Sequence, residues 1–131
     1  MNVTSDLSEK GFVLMKTVKI VPAICKAEGS NWEGHVIMRL PSFDEKFEYM
    51  ESLEIEVSET GEVESNRGSR LKQVRKMVKM SLPHYVEVNL KNKITQEHVQ
   101  SVDEMQYVEE LHPTMTEIAG SLIGGFKVGN G

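Results

Sequence analysis

The fold is decided by residues 32–45, WEGHVIMRLPSFDE, where a predicted strand gives way directly to a predicted helix. Trp32 to Leu40 is predicted to be a strand. Pro41 ends that strand, because proline has no N–H to donate to a neighbouring strand. Ser42 and Glu45 then have the spacing of a capping box, in which each side chain accepts a hydrogen bond from the backbone N–H of the other, so a helix begins here.

Two other segments are predicted to complete a small antiparallel sheet. Phe12 to Pro22 is rich in valine and isoleucine, and the loop Cys25 to Asn31 would join it to Trp32–Leu40 as an N-terminal hairpin. His84 to Leu90 alternates well enough for a third strand, whose one side would carry His84, Val86, Val88 and Leu90.

The first two predicted helices follow the strand and are amphipathic. The first begins at the Ser42 capping box, and its apolar face is formed at helical spacing by Phe43, Phe47, Met50 and Leu53. The second runs from Arg70 to Met80, is capped by Ser69, and stops at Pro83. Its apolar stripe consists of Leu71, Val74, Met77 and Val78.

The last third of the chain is predicted to be helical. Ser101–Glu104 and Thr114–Glu117 are two further capping boxes, and His112-Pro113 would separate the two helices that they start. Gly124-Gly125 would end the second. The predicted fold class is therefore α+β: a small antiparallel sheet, made of the N-terminal hairpin plus a third strand, packed with about four helices.

The length of 131 residues is typical of one domain. Residues 1–10 are predicted to be a flexible leader, and residues 11–131 a single α+β domain. Ile55 to Gly68 is a polar, acidic connection that could hold a short strand at Ile55–Val57. Within it we expect a mobile acidic loop over residues 57–69.

Charge is sharply divided in the middle of the chain, although the net charge is only −5. Residues 44–64 contain nine acidic residues and one lysine, whereas residues 67–79 contain six basic residues and no acidic one. Lys72, Arg75, Lys76 and Lys79 share one face of the second helix. That face could pair with the acidic segment of the same chain or of another copy, bind a protein partner, or bind nucleic acid, which we favour least.

The candidate partner-binding residues combine this basic face with the start of the acidic helix. They are Lys72, Arg75, Lys76, Lys79, Phe43, Phe47 and Met50. Eight methionines are consistent with a surface that adapts to a partner, since methionine side chains are flexible and polarizable.

Residues able to carry chemistry form no catalytic or metal-binding pattern. Cys25 and the four histidines are scattered, and none pairs at the helical spacing that two metal ligands require. Gly124-Gly125 follows a helix, whereas a phosphate-binding loop follows a strand. We therefore expect no enzyme activity, catalytic residue, metal or cofactor. An enzyme would need a pocket lined by His84 or His98 with carboxylates.

The expected location is the cytoplasm. A lone Cys25 is typical of a reducing compartment, and residues 1–10 do not resemble a signal peptide. The apolar stretches are far shorter than a membrane span, so we expect no membrane partner.

Two stretches resemble the tail assembly chaperones of tailed bacteriophages. They are Trp32-Glu33-Gly34-His35-Val36 followed by Leu40-Pro41-Ser42-Phe43-Asp44-Glu45-Lys46, and the closing Glu117-Ile118-Ala119-Gly120-Ser121-Leu122. In that family a strand ending in Pro-Ser/Thr-Phe/Tyr leads into an acidic helix. The resemblance covers about residues 30–55 and the C-terminal helix.

The resemblance implies a non-enzymatic role in the cytoplasm of the host cell. Such a chaperone would coat the long helical tape measure protein, help to recruit tail tube subunits, and self-associate through complementary charged faces. Two alternatives remain open at this point. One is a structural neck or tail protein retained in the virion, and the other is a small regulator or inhibitor that binds nucleic acid or a nucleic-acid enzyme through helix 70–80.

Overall fold

A computed structural model describes residues 16–60 and 67–123. Side chains are described in the same ranges except 54–60 and 67–69. The described residues form four strands and five α-helices, namely β1 Thr17–Ile20, α1 Ala23–Lys26, β2 Trp32–Arg39, α2 Phe43–Thr60, α3 Arg67–Ser81, β3 Tyr85–Asn92, β4 His98–Val99, α4 Val102–Met105 and α5 His112–Leu122. Single 3-10 turns occur at Leu82–His84 and Glu109–Leu111.

The strands form one antiparallel sheet in the order β1-β2-β3-β4, which confirms the α+β class. The hairpin of β1 and β2 and the third strand are where the sequence predicts them, although β1 begins at Thr17 and residues 12–15 lie outside the described range. The helices α2 and α3 connect β2 to β3. The two-residue strand β4 was not predicted, because a strand so short has no readable alternation.

A bulge and a glycine shape the pairing of β2 with β3. Ile37 lies opposite Glu87 and Met38 opposite Tyr85, so Val86 is the extra residue of a β-bulge. The predicted placement of Val86 beside Val88 and Leu90 is therefore wrong, and its side chain is 56% exposed. Gly34 has a φ of +127°, a conformation that side-chain-bearing residues rarely adopt.

The core lies between one face of the sheet and the C-terminal segments. β2 contributes Trp32, Val36 and Met38, and β3 contributes Val88 and Leu90. This face is covered by α4, the second 3-10 turn and α5, whose buried residues are Met105, Leu111, Met115, Ile118 and Leu122. The Trp32 indole N–H donates to Glu110 Oε1 at 2.8 Å, which ties the start of β2 to this layer.

The structure corrects the prediction between the two long helices. α2 continues through Thr60, so the short strand at Ile55–Val57 is wrong. α3 already begins at Arg67, so Ser69 lies inside the helix and does not cap it. The predicted loop over residues 57–69 is therefore wrong at both ends, and its centre, residues 61–66, lies outside the described residues.

The C-terminal third is less continuously helical than predicted. One half of the Ser101 capping box is confirmed, since Glu104 N–H donates to Ser101 Oγ at 3.1 Å, whereas the Glu104 carboxylate accepts from the Gln100 N–H at 2.6 Å. The helix that follows is a single turn. The Thr114 capping box is wrong, because α5 begins at His112 and Thr114 is buried inside it. His112-Pro113 starts this helix instead of separating two, as suits a proline at the first helical positions.

Three further predictions concern Cys25 and the two ends of the chain. Cys25 lies in the single-turn helix α1 rather than in a loop. The leader 1–10 and Gly124-Gly125 lie outside the described residues. No helix in the described parts of the chain is both long and apolar enough to cross a bilayer.

Candidate protein-binding surface

An exposed aromatic pair lies at the start of α2. Phe43 and Phe47 stack with their ring centroids 6.3 Å apart, and the side chains are 78% and 51% exposed. Met50 is half-buried, and Leu53 is buried in the core. Only the C-terminal end of the predicted apolar face is therefore buried in the core. Nearer the N-terminal end of α2, the half-buried Tyr49 packs against the core in place of Phe43 and Phe47.

The orientation of this pair is set by polar contacts in the first turn of α2. Glu45 N–H donates to Ser42 Oγ at 3.2 Å and Ser42 N–H donates to Glu45 Oε1 at 2.8 Å, which confirms the capping box. Arg39, at the end of β2, donates two hydrogen bonds to the Glu45 carboxylate at 3.0 and 3.1 Å. The Arg39 hydrogen bonds lower the pKa of Glu45 to about 2 and raise the pKa of Arg39.

A buried histidine joins the same end of α2 to the sheet. His84 is fully buried in the 3-10 turn before β3. Its Nδ1 lies 2.8 Å from the Arg39 carbonyl oxygen and its Nε2 lies 2.7 Å from Tyr49 Oη. Because a carbonyl only accepts, Nδ1 carries a proton, and in the neutral ring Nε2 accepts from the tyrosine hydroxyl. Both ring nitrogens are therefore engaged in holding β2, α2 and β3 together.

The four basic candidate residues on α3 lie towards the solvent side of that helix. Lys72, Arg75 and Lys79 are exposed, and Lys76 is half-buried. At about 100° between successive residues, the four side chains span an arc of roughly 100°. One edge of this arc faces α2, where Lys76 Nζ donates to the Ser52 carbonyl at 3.4 Å, and Gln73 beyond it donates to the Leu53 carbonyl at 3.2 Å.

The other edge of the basic arc borders an open groove between α3 and α5. The groove has a volume of about 400 Å³, and its lining residues are Leu71, Val74, Arg75, Val78, Gln106, His112, Met115 and Thr116. Leu71 is 59% exposed, so this wall presents apolar surface to solvent. His112 Nε2 lies 2.8 Å from the Gln106 carbonyl oxygen, which fixes the end of the groove formed by the 106–112 segment.

The structure thus divides the candidate residues between two surfaces. Phe43 and Phe47 are together on α2, Arg75 lies in the groove, and Lys76 contacts α2. The groove itself was not predicted, although the apolar residues of its α3 wall were. The sequence identified those residues only as an apolar stripe, and the position of α5 shows which part of the stripe stays open.

The histidines and the cysteine that could carry chemistry are dispersed or already make hydrogen bonds. His98 is exposed, and its Nε2 lies 2.8 Å from Asn89 Oδ1 on the outer face of the sheet. Burial, together with Glu117 and Glu33, raises the pKa of the Cys25 thiol, which lowers its nucleophilic fraction. In the described ranges, no three residues among His, Cys, Asp and Glu are grouped so that they could hold a metal ion.

No protein-family model, curated protein or solved structure matches this chain.

Proposed function

We propose that this protein is a non-enzymatic assembly chaperone that holds a helical segment of a larger protein in the groove between α3 and α5. The observation that carries the proposal is the groove itself, whose α3 wall presents an apolar strip of Leu71, Val74 and Val78 beside Arg75. A groove between two helices is a common seat for the apolar face of a third amphipathic helix.

The client that we propose is an elongated helical protein of a phage tail, of the tape measure type. This choice follows from the resemblance to tail assembly chaperones in residues 30–55. On this proposal the protein acts in the host cytoplasm during assembly. The chaperone would leave before the particle is complete, whereas a structural neck or tail protein would remain in it.

The first test is capture of the client by tagged protein from infected cells, read by mass spectrometry. Wild-type protein should recover a long helical tail protein, and the bait should be missing from purified particles. Leu71→Glu places a charge in the apolar groove and should lower recovery by about tenfold or more. The matched control is Ile94→Glu, because Ile94 is 70% exposed in the turn between β3 and β4.

Two results would contradict this proposal. Retention of the bait in purified particles would make the protein a structural component. Equal recovery by Leu71→Glu and Ile94→Glu would remove the groove from client binding.

The exposed cations of α3 favour nucleic acid as the second candidate partner. Lys72, Arg75 and Lys79 could contact phosphates, but α3 contains no aromatic residue on which bases could stack. Binding by this route should weaken steeply with salt, and replacing Lys72, Arg75, Lys76 and Lys79 by glutamine should flatten that dependence. Capture that is lost after nuclease treatment and at high salt would favour this candidate over the chaperone.

A further inference from the structure

The outer face of α2 and the groove between α3 and α5 are complementary in polarity and charge. On α2, the exposed rings of Phe43 and Phe47 are flanked on one side by the exposed carboxylates Asp44, Glu48 and Glu51. These five side chains fall within an arc of roughly 140°, given about 100° between successive residues. The α2 face is therefore an aromatic strip with an acidic border.

The groove presents the opposite arrangement. Its apolar strip consists of Leu71, Val74 and Val78, and its solvent border on α3 carries Arg75, with the exposed Lys79 one turn further on. The described part of α3 contains no acidic residue. The groove is therefore an apolar strip with a basic border.

We infer that α2 of one copy docks in the α3–α5 groove of a second copy of this chain. Phe43 and Phe47, four residues apart, are the apolar anchors, as in other helix-in-groove contacts. Asp44, Glu48 and Glu51 face Arg75 and Lys79 of the neighbouring copy. The inference rests on the proposed function in one respect: α2 occupies the groove that a client helix would take, so client binding displaces it.

The occupant must come from another copy, because the chain's own α2 lies on the wrong side of α3. Gln73 and Lys76 contact the carbonyls of Leu53 and Ser52, which places α2 along the opposite flank from Leu71 and Val78. The contact is thus heterologous, with α2 of one copy meeting the groove of the next. A pair formed in this way keeps one free groove on the first copy and one free α2 face on the second, so association continues from copy to copy or closes into a ring.

The size of the contact indicates reversible association. An aromatic side chain buries about 150–250 Å². Two such anchors with a charged border fall at the small end of specific interfaces, which bury about 1,200–2,000 Å² in total. A weak contact of this kind covers the groove in the absence of client. A client with a longer helix can still displace α2 from the groove.

The test is a mixing experiment read by sedimentation velocity. Phe43→Ser/Phe47→Ser removes the anchors but keeps the groove, and Arg75→Glu/Lys79→Glu reverses the border but keeps the anchors. Wild-type protein should associate with rising concentration. Each variant alone should associate at least about tenfold more weakly than wild type. An equimolar mixture of the two variants should form a 1:1 dimer that grows no further, because it unites one intact α2 with one intact groove.

The control for the anchors is Ile94→Ser, another exposed apolar side chain, which should associate like wild type. Far-UV circular dichroism should show unchanged folding in all variants, since the substituted side chains are exposed. Raising the salt concentration should weaken the wild-type association, because exposed charge pairs are screened.

Three outcomes would overturn the inference. They are a wild-type protein that stays monomeric, a Phe43→Ser/Phe47→Ser variant that associates like wild type, and a mixture that shows no 1:1 dimer. The proposed function is judged separately, since the Phe43→Ser/Phe47→Ser variant keeps the groove and should still capture the client. Failure of wild-type protein to capture any client would overturn the chaperone and leave the sedimentation result standing.

Discussion

At the scale of single residues, Gly34 and Gly120 differ in whether the structure has room for a side chain. Gly34 lies opposite Leu90 in the sheet, and a Cβ atom built on it would overlap the Asn89 carbonyl oxygen. Its φ of +127° adds backbone strain for any other residue. Gly120, in contrast, lies in α5 with nothing within 4 Å of a built Cβ atom.

We expect Gly34→Ala to lower the free energy of unfolding by about 3 kcal/mol, because backbone overlap and strain act together. Gly120→Ala is the matched control and should raise it by about 0.5–1 kcal/mol, since alanine loses less backbone entropy in a helix. Urea unfolding of both variants measures these changes. Equal stability of the two variants would show that β2 and β3 tolerate a wider separation at this point.

At the scale of elements, the junction between β2 and α2 is held by one carboxylate. Glu45 accepts hydrogen bonds from both terminal nitrogens of Arg39 and from the Ser42 N–H. This set of contacts links the end of a strand to the first turn of the helix that follows. It therefore orients the aromatic pair that begins the helix.

We expect Glu45→Gln to lower the free energy of unfolding at pH 7, because it removes the ion pair with Arg39. The loss should be only about 1 kcal/mol, since that ion pair is partly exposed. The pKa of Glu45 is about 2 in the folded protein, below the value of about 4.3 of an unperturbed glutamate. The difference between wild type and variant should thus be complete above about pH 4.3 and shrink as the pH falls towards 2.

Chemical unfolding of both proteins at pH 7, 4 and 3 measures this trend. Glu48→Gln, an exposed carboxylate on the same helix, should stay within about 0.5 kcal/mol of wild type throughout. A difference between wild type and Glu45→Gln that is constant from pH 7 to pH 3 would argue against the ion pair as its source.

At the scale of the whole molecule, the helices and the sheet share one core. Buried residues of β2, β3, β4 and α5 pack together with Leu53 of α2, and Met77 and Val78 of α3 pack against them. Trp32, the single tryptophan, is 3% exposed within this core. Its fluorescence therefore reports on the packing of this core.

We expect urea unfolding followed by Trp32 fluorescence and by far-UV circular dichroism to give the same midpoint, because a small shared core unfolds cooperatively. Measurements are made at low protein concentration to exclude self-association. Loss of helical signal at a lower urea concentration than loss of fluorescence would show that α2 and α3 separate from the sheet first.

Local sequence predicted some of these features and missed others for identifiable reasons. The capping box at Ser42 is confirmed, and Ser101 caps the helix after it as predicted, because these hydrogen bonds join residues three apart. Thr114–Glu117 has the same pattern, but Pro113 favours a helix that begins earlier, so Thr114 is buried within α5. The candidate residues on α2 and α3 were found from periodicity and charge, but the groove was not.

The fold class, most of the strands and the start of α2 could be predicted from the chain alone, since these depend on alternation, proline and short-range hydrogen bonds. Which apolar residues stay exposed depends instead on how the helices and strands pack in three dimensions. Phe43 and Leu53 belong to the same helical stripe, yet one lies in solvent and the other in the core, because the neighbouring elements cover only one end of α2. The bulge at Val86 and the groove beside Leu71 likewise depend on contacts between segments distant in the chain, which periodicity within one segment does not encode.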